Sequence, residues 1–167
     1  VGERDVRRGV DVRGVDLRCI DDDPGHPTLF QPAKQLGTHA LVVPRTVARL
    51  DEQSYRWTAA DPSLRWFRLN ARGLDVEIED VSDSLAALAI QGPLSRAVLE
   101  SVTEASWGDL KYFGRRAGRV GSVDVDVSRT GYTGDLGYEV WIDRAHALEV
   151  WDAFARDGID AAGGSLV

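Results

Sequence analysis

The chain has 167 residues, 43% hydrophobic and 28% charged, which is enough for one packed domain or slightly more and is globular in balance. Its formal net charge of −7 argues against a general nucleic-acid or anionic-membrane binder, since both reward a basic face. Cys19 is the one cysteine, which excludes an internal disulfide framework and any multi-cysteine zinc or iron–sulfur site. No apolar run approaches the roughly 18 residues of a transmembrane helix, and no signal-peptide pattern opens the chain. The expectation is a cytoplasmic protein with neither a membrane nor a nucleic-acid partner. The chain opens on Val1 and holds no methionine, and so reads as a piece of a longer protein.

Residues 1–45 differ from the rest. The opening VGERDVRRGVDVRGVDLR cycles through Val, Gly, Arg and acidic residues, and Val6, Val10, Val12 and Val15 fit neither a strand nor a helix period. Asp21-Asp22-Asp23-Pro24-Gly25 is turn chemistry, and Pro27, Pro32 and Pro44 punctuate residues 26–45. Two readings are open: a variable surface region, or out-of-frame translation of GC-rich DNA, since Val, Gly, Asp and Glu all use codons beginning with G. Reading the parent DNA in the other frames separates them.

From Thr46 the pattern is regular. Val47–Leu50 and Ser54–Thr58 flank Asp51-Glu52-Gln53 as a hairpin. Asp61-Pro62 predicts a helix start, with a capping carboxylate and then proline at the first helical position. Leu64, Phe67, Ala71 and Leu74 come next at helical spacing, with Gly73 at the end. Val76 and Ile78 alternate with Asp75, Glu77 and Glu79 as a half-buried strand. Leu85–Gln91 (LAALAIQ) reads as a buried strand. Gly92-Pro93 opens a helix with Leu94, Ala97, Val98 and Val102 on one face. Lys111–Val127 predicts two strands about a turn in the Gly118–Gly121 region, with Val123, Val125 and Val127 sharing a face. A strand at Tyr138–Ile142 places Glu139 and Trp141 opposite Tyr138, Val140 and Ile142. Asp143 caps a last helix with Ala147, Leu148, Trp151, Phe154 and Ala155 as its apolar stripe, and Gly158 ends it. The order β-β-α-β, β-α-β-β-β-α predicts an α+β fold of ferredoxin-like plaits with a mainly antiparallel sheet, not a doubly wound parallel one.

Before Tyr138 stands the most informative stretch. Gly131, Gly134 and Gly137 recur at every third residue, flanked by Tyr132 and Tyr138, and the run closes on Glu139. The spacing alone fits a plain hairpin turn. A phosphate loop is rejected, because no Gly-Lys-Ser/Thr is present and Asp135 and Glu139 repel phosphate. A glycine turn that sets an aromatic face near a carboxylate suits a flat, hydrogen-bonding heterocycle. Asp124 and Asp126 alternate with valines and read as a solvated strand face. His26, His39 and His146 have no metal-ligand spacing, so no metal is expected. Cys19 has nothing nearby to lower its pKa.

The run Ser128-Arg129-Thr130-Gly131-Tyr132-Thr133-Gly134-Asp135-Leu136-Gly137-Tyr138-Glu139 resembles the signature of the aminomethyltransferase (glycine cleavage T-protein) folate-binding family. Leu88-Ala89-Ile90-Gln91-Gly92-Pro93 resembles the family's A-L-Q-G-P element, and Tyr55–Ala60 its strand after the substrate-side hairpin. The resemblance runs from about Thr46 to Gly158. It implies a folate-binding aminomethyltransferase domain over 46–167, truncated, with the family's C-terminal β domain absent after Val167. It implies that Glu139 binds the pterin ring of tetrahydrofolate, since a carboxylate accepts the pterin's adjacent N–H and amine together. Tyr132 is then the loop tyrosine lying against the folate. Arg129 either anchors the loop through a carboxylate or holds the folate tail, with an ordinary surface arginine an equal alternative. Gln91 is better read as a turn-stabilising amide than as a site residue. Asp135 stands where the family usually has Glu.

The resemblance implies a tetrahydrofolate-dependent transferase of aminomethyl or methyl groups from a small donor, with folate and that donor as ligands and, in aminomethyltransferases, a lipoylated carrier protein as partner. Demethylases of small methylated compounds belong to the same family. One departure stands out. The family carries an acidic residue just before the strand matching Thr46–Leu50, and Val43-Pro44-Arg45 occupies that place here. The catalytic residue is therefore unknown, and the alternative is a folate-binding module or fragment without turnover. The iron–sulfur-assembly branch is set aside, because its K-G-C-x-x-G-Q motif is not in the sequence.

Overall fold

The computed structural model describes residues 13–19, 45–59, 63–131 and 133–158, with backbone alone for 13–19 and Arg45. The chain divides into two compact units, Val1–Asp83 and Ser84–Val167. Both are built on antiparallel sheets with helices, the α+β class expected from the element order.

In the first unit, β1 (Arg13–Cys19), β2 (Arg45–Arg49), β3 (Ser54–Ala59) and β4 (Val76–Asp80) form one sheet in the order β2-β3-β1-β4. The β2–β3 hairpin forms as expected, with Arg49 opposite Tyr55. Its turn is organised by Asp51, whose Oδ1 accepts from the backbone N–H of Gln53 at 2.9 Å and of Ser54 at 2.8 Å, the local bonding that makes Asp a turn residue. The strand β1 is new: the mixed valine spacing of residues 1–18 hid it, yet it lies centrally, paired with β3 and β4. Helix α1 (Leu64–Asn70) is shorter than expected. Ser63 precedes it without a side-chain cap, and Ala71 ends it; the Asp61-Pro62 start lies outside the described residues. Phe67 is buried and meets Trp57 edge-on at 5.2 Å, the favoured aromatic geometry.

In the second unit, β5 (Leu85–Gln91), β6 (Arg115–Val120), β7 (Val123–Ser128) and β8 (Gly137–Asp143) form a sheet in the order β5-β8-β7-β6. Strands β6, β7 and β8 run as a meander, turned first at Gly121-Ser122, where Gly121 takes φ +57°, the conformation a two-residue hairpin demands. Helices α2 (Ser95–Thr103) and α3 (Ala147–Ala153) pair with this sheet. Asp143 Oδ1 accepts from Ala145 N–H at 2.8 Å, so it caps as expected, here a 3-10 turn (Arg144–His146) leading into α3.

Period-2 alternation sorts the sheet into two faces. Val123, Val125 and Val127 from β7 and Tyr138, Val140 and Ile142 from β8 are all buried in the core. Val98 and Leu99 of α2, and Val150 with Phe154 from the last helix, belong to the same core. Three local expectations change. Strand β5 is half-buried, not buried, because it is an edge of the sheet. The inward face of α2 is Ser95, Val98, Leu99 and Thr103, with Leu94 46% exposed. Leu148 (79% exposed) and Trp151 (45%) face outward on α3, and Val150 takes the core position. Gly158 is buried where a Cβ would press on Val102 and Val98.

Trp107 anchors the unit from the loop after α2. It is 1% exposed. Its indole N–H donates to Thr103 Oγ1 at 2.7 Å and its backbone N–H to Glu100 Oε1 at 2.8 Å. Gly118 passes so close that a Cβ there would lie 2.9 Å from the ring. The Arg116 guanidinium lies 4.8 Å from the ring centroid, a cation–π distance. It also binds Asp109 at 2.9 Å and holds that carboxyl below the usual carboxylate range, chiefly through the hydrogen bond.

Candidate functional site

The glycine-rich run is the connection of the β7–β8 hairpin. Ser128 pairs with Glu139 and Asp126 with Trp141 across these strands, while Ala89 and Gln91 of β5 pair with Glu139 and Gly137. The second sheet face therefore presents Ser128, Glu139, Trp141 and Gln91 together, opposite the valine core. Tyr138 points the other way: it is fully buried, with Arg96 Nε donating to its hydroxyl at 3.4 Å. Tyr132 lies outside the described residues.

The glycines of the run serve different needs. Gly134 takes φ +83°, a conformation that side-chain-bearing residues rarely adopt. Gly131 and Gly137 make room for Gln91 instead. A Cβ on Gly131 would sit 2.8 Å from Gln91 Oε1, and one on Gly137 would run into the same amide. Gln91 Oε1 in turn accepts from Thr133 Oγ1 at 2.9 Å, and Gly92 N–H donates to the Leu136 carbonyl at 2.8 Å. The Gln-Gly pair at the end of β5 thus clips the loop at two points, which supports the turn-stabilising reading of Gln91. The loop's other end is held by Arg129. Its backbone N–H donates to Gly114 O at 2.9 Å, its carbonyl accepts from Phe113 N–H at 3.0 Å, and its Nη1 donates to Leu110 O at 2.9 Å. The guanidinium thus anchors on a backbone carbonyl, and the carboxylate anchor is one of three alternatives the sequence leaves open for Arg129.

This clip carries a prediction. Gly137→Ala displaces the Gln91 amide and breaks its bond to Thr133, at a cost of about 1–2 kcal/mol, in the range for overpacking. Because the conflict is with one side-chain tip, adding Gln91→Ala removes it. Urea denaturation of the two single variants and the double variant is expected to show coupling of at least about 0.5 kcal/mol. Additive losses contradict the clip.

Glu139 is half-buried. Its Oε2 accepts from the Thr130 hydroxyl, and among the described residues Oε1 has no partner. Thr130 Oγ1 lies 2.8 Å from Ser128 Oγ, and the Trp141 indole N–H donates to Ser128 Oγ at 3.2 Å. Thr130 and Ser128 are both buried. Further along the face, Asp126 Oδ2 pairs with Arg115 at 2.8 Å; Asp124 pairs with Arg119 at 3.0 Å in the open. These carboxylates are spoken for by arginines. Among the described residues Asp126 Oδ1 is buried without a hydrogen-bond partner, but Glu139 has no arginine beside it and keeps Oε1 unengaged, which suits it to a ligand presenting N–H donors. Thr130, Ser128 and Trp141 escaped sequence reasoning as contributors. Trp141 shares the face of Glu139 by alternation along one strand, whereas Ser128 joins it across a hairpin, which is legible only once the register is known. Among the described residues no His, Cys, Asp and Glu cluster is placed to hold a metal ion, and no helix is long and apolar enough to cross a membrane.

The GCVT N-terminal domain family matches residues 40–164. The aminomethyltransferase of Streptomyces coelicolor is 39% identical over 121 residues, covering 70% of this chain and 32% of that protein. The aminomethyltransferase of Halothermothrix orenii is 38% identical over 100 residues, covering 60% of this chain and 28% of that protein. The chain thus spans about a third of the length of these curated relatives. Among solved structures, the glycine cleavage system aminomethyltransferase T of Bartonella henselae superposes with a TM-score of 0.66 at 16% identity, over 88% of this chain and 44% of that one. The heterotetrameric sarcosine oxidase of Corynebacterium sp. U-96 gives 0.68 at 15% identity, over 92% of this chain and 80% of its own. At those identities the likeness speaks for the fold alone. Carried by its sequence match over most of its length, this chain belongs to the GCVT N-terminal domain family of aminomethyltransferases.

Proposed function

We propose that this chain is the tetrahydrofolate-holding part of a one-carbon transferase that moves an aminomethyl or methyl group from a small donor. The observation that carries the reading is Glu139: a half-buried carboxylate with Oε1 unengaged among the described residues, beside the loop that the sequence signature marks. The donor set fits the group, because two carboxylate oxygens match the adjacent ring N–H and exocyclic amine of a pterin, and charge-assisted pairs of that kind are the strong ones. Tetrahydrofolate, when bound, supplies the nitrogen that takes up the one-carbon unit. The chain binds and orients. Glu139 grips the pterin edge from strand β8, Tyr132 lies against the ring, and Arg129 fixes the loop that precedes the strand. Positioning of this kind is the protein's main share of the work in cofactor chemistry. A lipoylated carrier protein bearing an aminomethyl group is the partner this reading entails, with a small methylated compound as the other donor class.

A second reading, folate binding without turnover, is favoured by Pro44-Arg45, which offer no carboxylate where the family's acid is expected. Incubation with tetrahydrofolate and an aminomethyl or methyl donor decides between them. Transfer to folate supports the transferase. Saturable folate binding without transfer supports the binding module. Absence of both overturns the two readings together.

A further inference from the structure

We propose that Thr130, Ser128 and Trp141 form a one-way hydrogen-bond relay that fixes the orientation of the Glu139 carboxylate, making all three positioning residues for whatever that carboxylate grips. In its application to folate, the inference rests on the proposed function.

Proton accounting sets the direction. An ionised carboxylate only accepts, so the single Thr130 hydroxyl proton goes to Glu139 Oε2. Thr130 Oγ1 then has only lone pairs to offer Ser128, 2.8 Å away, and Ser128 must be the donor in that contact. The Ser128 oxygen in turn accepts from the Trp141 indole, which can only donate. Every proton in Trp141→Ser128→Thr130→Glu139 therefore points toward the carboxylate. Chains of bonds aligned in this way polarise and strengthen one another in a water-poor setting, and Ser128 and Thr130 are 9% and 7% exposed. The geometry is built by the sheet: Ser128 is the register partner of Glu139, and Trp141 lies two residues beyond Glu139 along β8. With Oε2 held from behind, Oε1 and the second lone pair of Oε2 keep a set direction for a ligand's two donors.

The test uses the whole chain with Thr130→Val, Thr130→Ser, Ser128→Ala and Glu139→Gln, each checked for native circular dichroism. Two readouts are needed: the tetrahydrofolate dissociation constant, and, without ligand, the Trp141 indole N–H and Glu139 carboxylate-carbon resonances. Thr130→Val keeps the shape and loses the hydroxyl. It is expected to weaken folate binding roughly five- to tenfold, the scale of one ordinary hydrogen bond, and to shift both resonances. Thr130→Ser is expected to recover most of the binding and both shifts, which a packing role for the Thr methyl does not allow. Ser128→Ala is expected to shift the Trp141 resonance most. If Glu139→Gln weakens binding while Thr130→Val matches the wild type, the relay is overturned and the folate reading stands. If wild type does not bind folate, that reading falls, and the ligand-free resonances still decide the relay. Resonances unmoved by Thr130→Val and Ser128→Ala overturn it, as does a Thr130→Ser variant no better than Thr130→Val. Should Thr130→Val fail to fold, Thr130→Ser and Ser128→Ala carry the same comparison.

Discussion

Glu139→Gln is expected to weaken tetrahydrofolate binding about 10- to 100-fold while leaving the fold intact. The magnitude comes from the chemistry of the exchange. A hydrogen bond to a charged group contributes about 1.5–3 kcal/mol, and each 1.4 kcal/mol is a factor of ten in affinity. Glutamine keeps the size of the side chain but replaces one acceptor oxygen by an NH2 that faces the ligand's own donors. The fold is expected to survive because Glu139 stands on the face opposite the valine core, and its neighbours Tyr138 and Val140 carry the burial. Isothermal titration on both proteins, alongside thermal melts, reads the two effects separately. A Glu139→Gln variant that binds as tightly as wild type rules out the carboxylate as the pterin grip.

The largest stability loss is expected at Trp107, a residue remote from that chemistry. Trp107→Ala is expected to cost about 3–5 kcal/mol, the range for removing a buried large aromatic, out of a total that is about 5–15 kcal/mol for an ordinary domain. Three losses coincide there. The cavity has a rigid wall, since Gly118 lies against the ring and is held in strand β6, and Trp107 belongs to the buried core of the unit. Thr103 Oγ1 loses its indole donor, and Arg116 loses the ring beneath it. Trp151→Ala, at a side chain 45% exposed, is the matched comparison and is expected to cost less than half as much. Urea denaturation monitored by far-ultraviolet circular dichroism gives both values. A Trp107→Ala loss under about 1 kcal/mol contradicts its place in the core.

The alternation of Val123, Val125 and Val127 and of Tyr138, Val140 and Ile142 was legible because a two-sided sheet writes its faces at every second residue. The β2–β3 hairpin and the Asp143 cap were legible for a similar reason: their chemistry is local. What the sequence hid is what depends on distant partners. The apolar run of β5 looked buried, but its place at the sheet edge left it half-covered. Of the expected stripe of the last helix Phe154 does lie in the core, but Leu148 and Trp151 face outward and Val150 takes the inner position. Trp107 sits in a loop with no period to betray it. Strand β1 carries mixed valine, glycine and charge, so nothing in its own residues announces that β3 and β4 pair with it.

The candidate site divides along the same line. Glu139 and the loop were visible as a motif. Gln91 was visible as a turn amide, but its seat against Gly131 and Gly137 required the β5–β8 register. The carbonyl anchor of Arg129 required Leu110, which is 19 residues away. The hydroxyls behind Glu139 required the β7–β8 register. A motif names the residues that meet a ligand, whereas those that hold them in place are found only once the strands are paired.

The most direct measurement is a titration of the isotope-labelled chain with tetrahydrofolate, tracked residue by residue by nuclear magnetic resonance. Saturable shifts are expected to centre on the Trp141 indole, the Glu139 side chain and the amides of Gly131, Gly134 and Gly137, and to vanish in Glu139→Gln. Shifts that gather elsewhere on the chain, or none at millimolar folate, would contradict a pterin grip at Glu139.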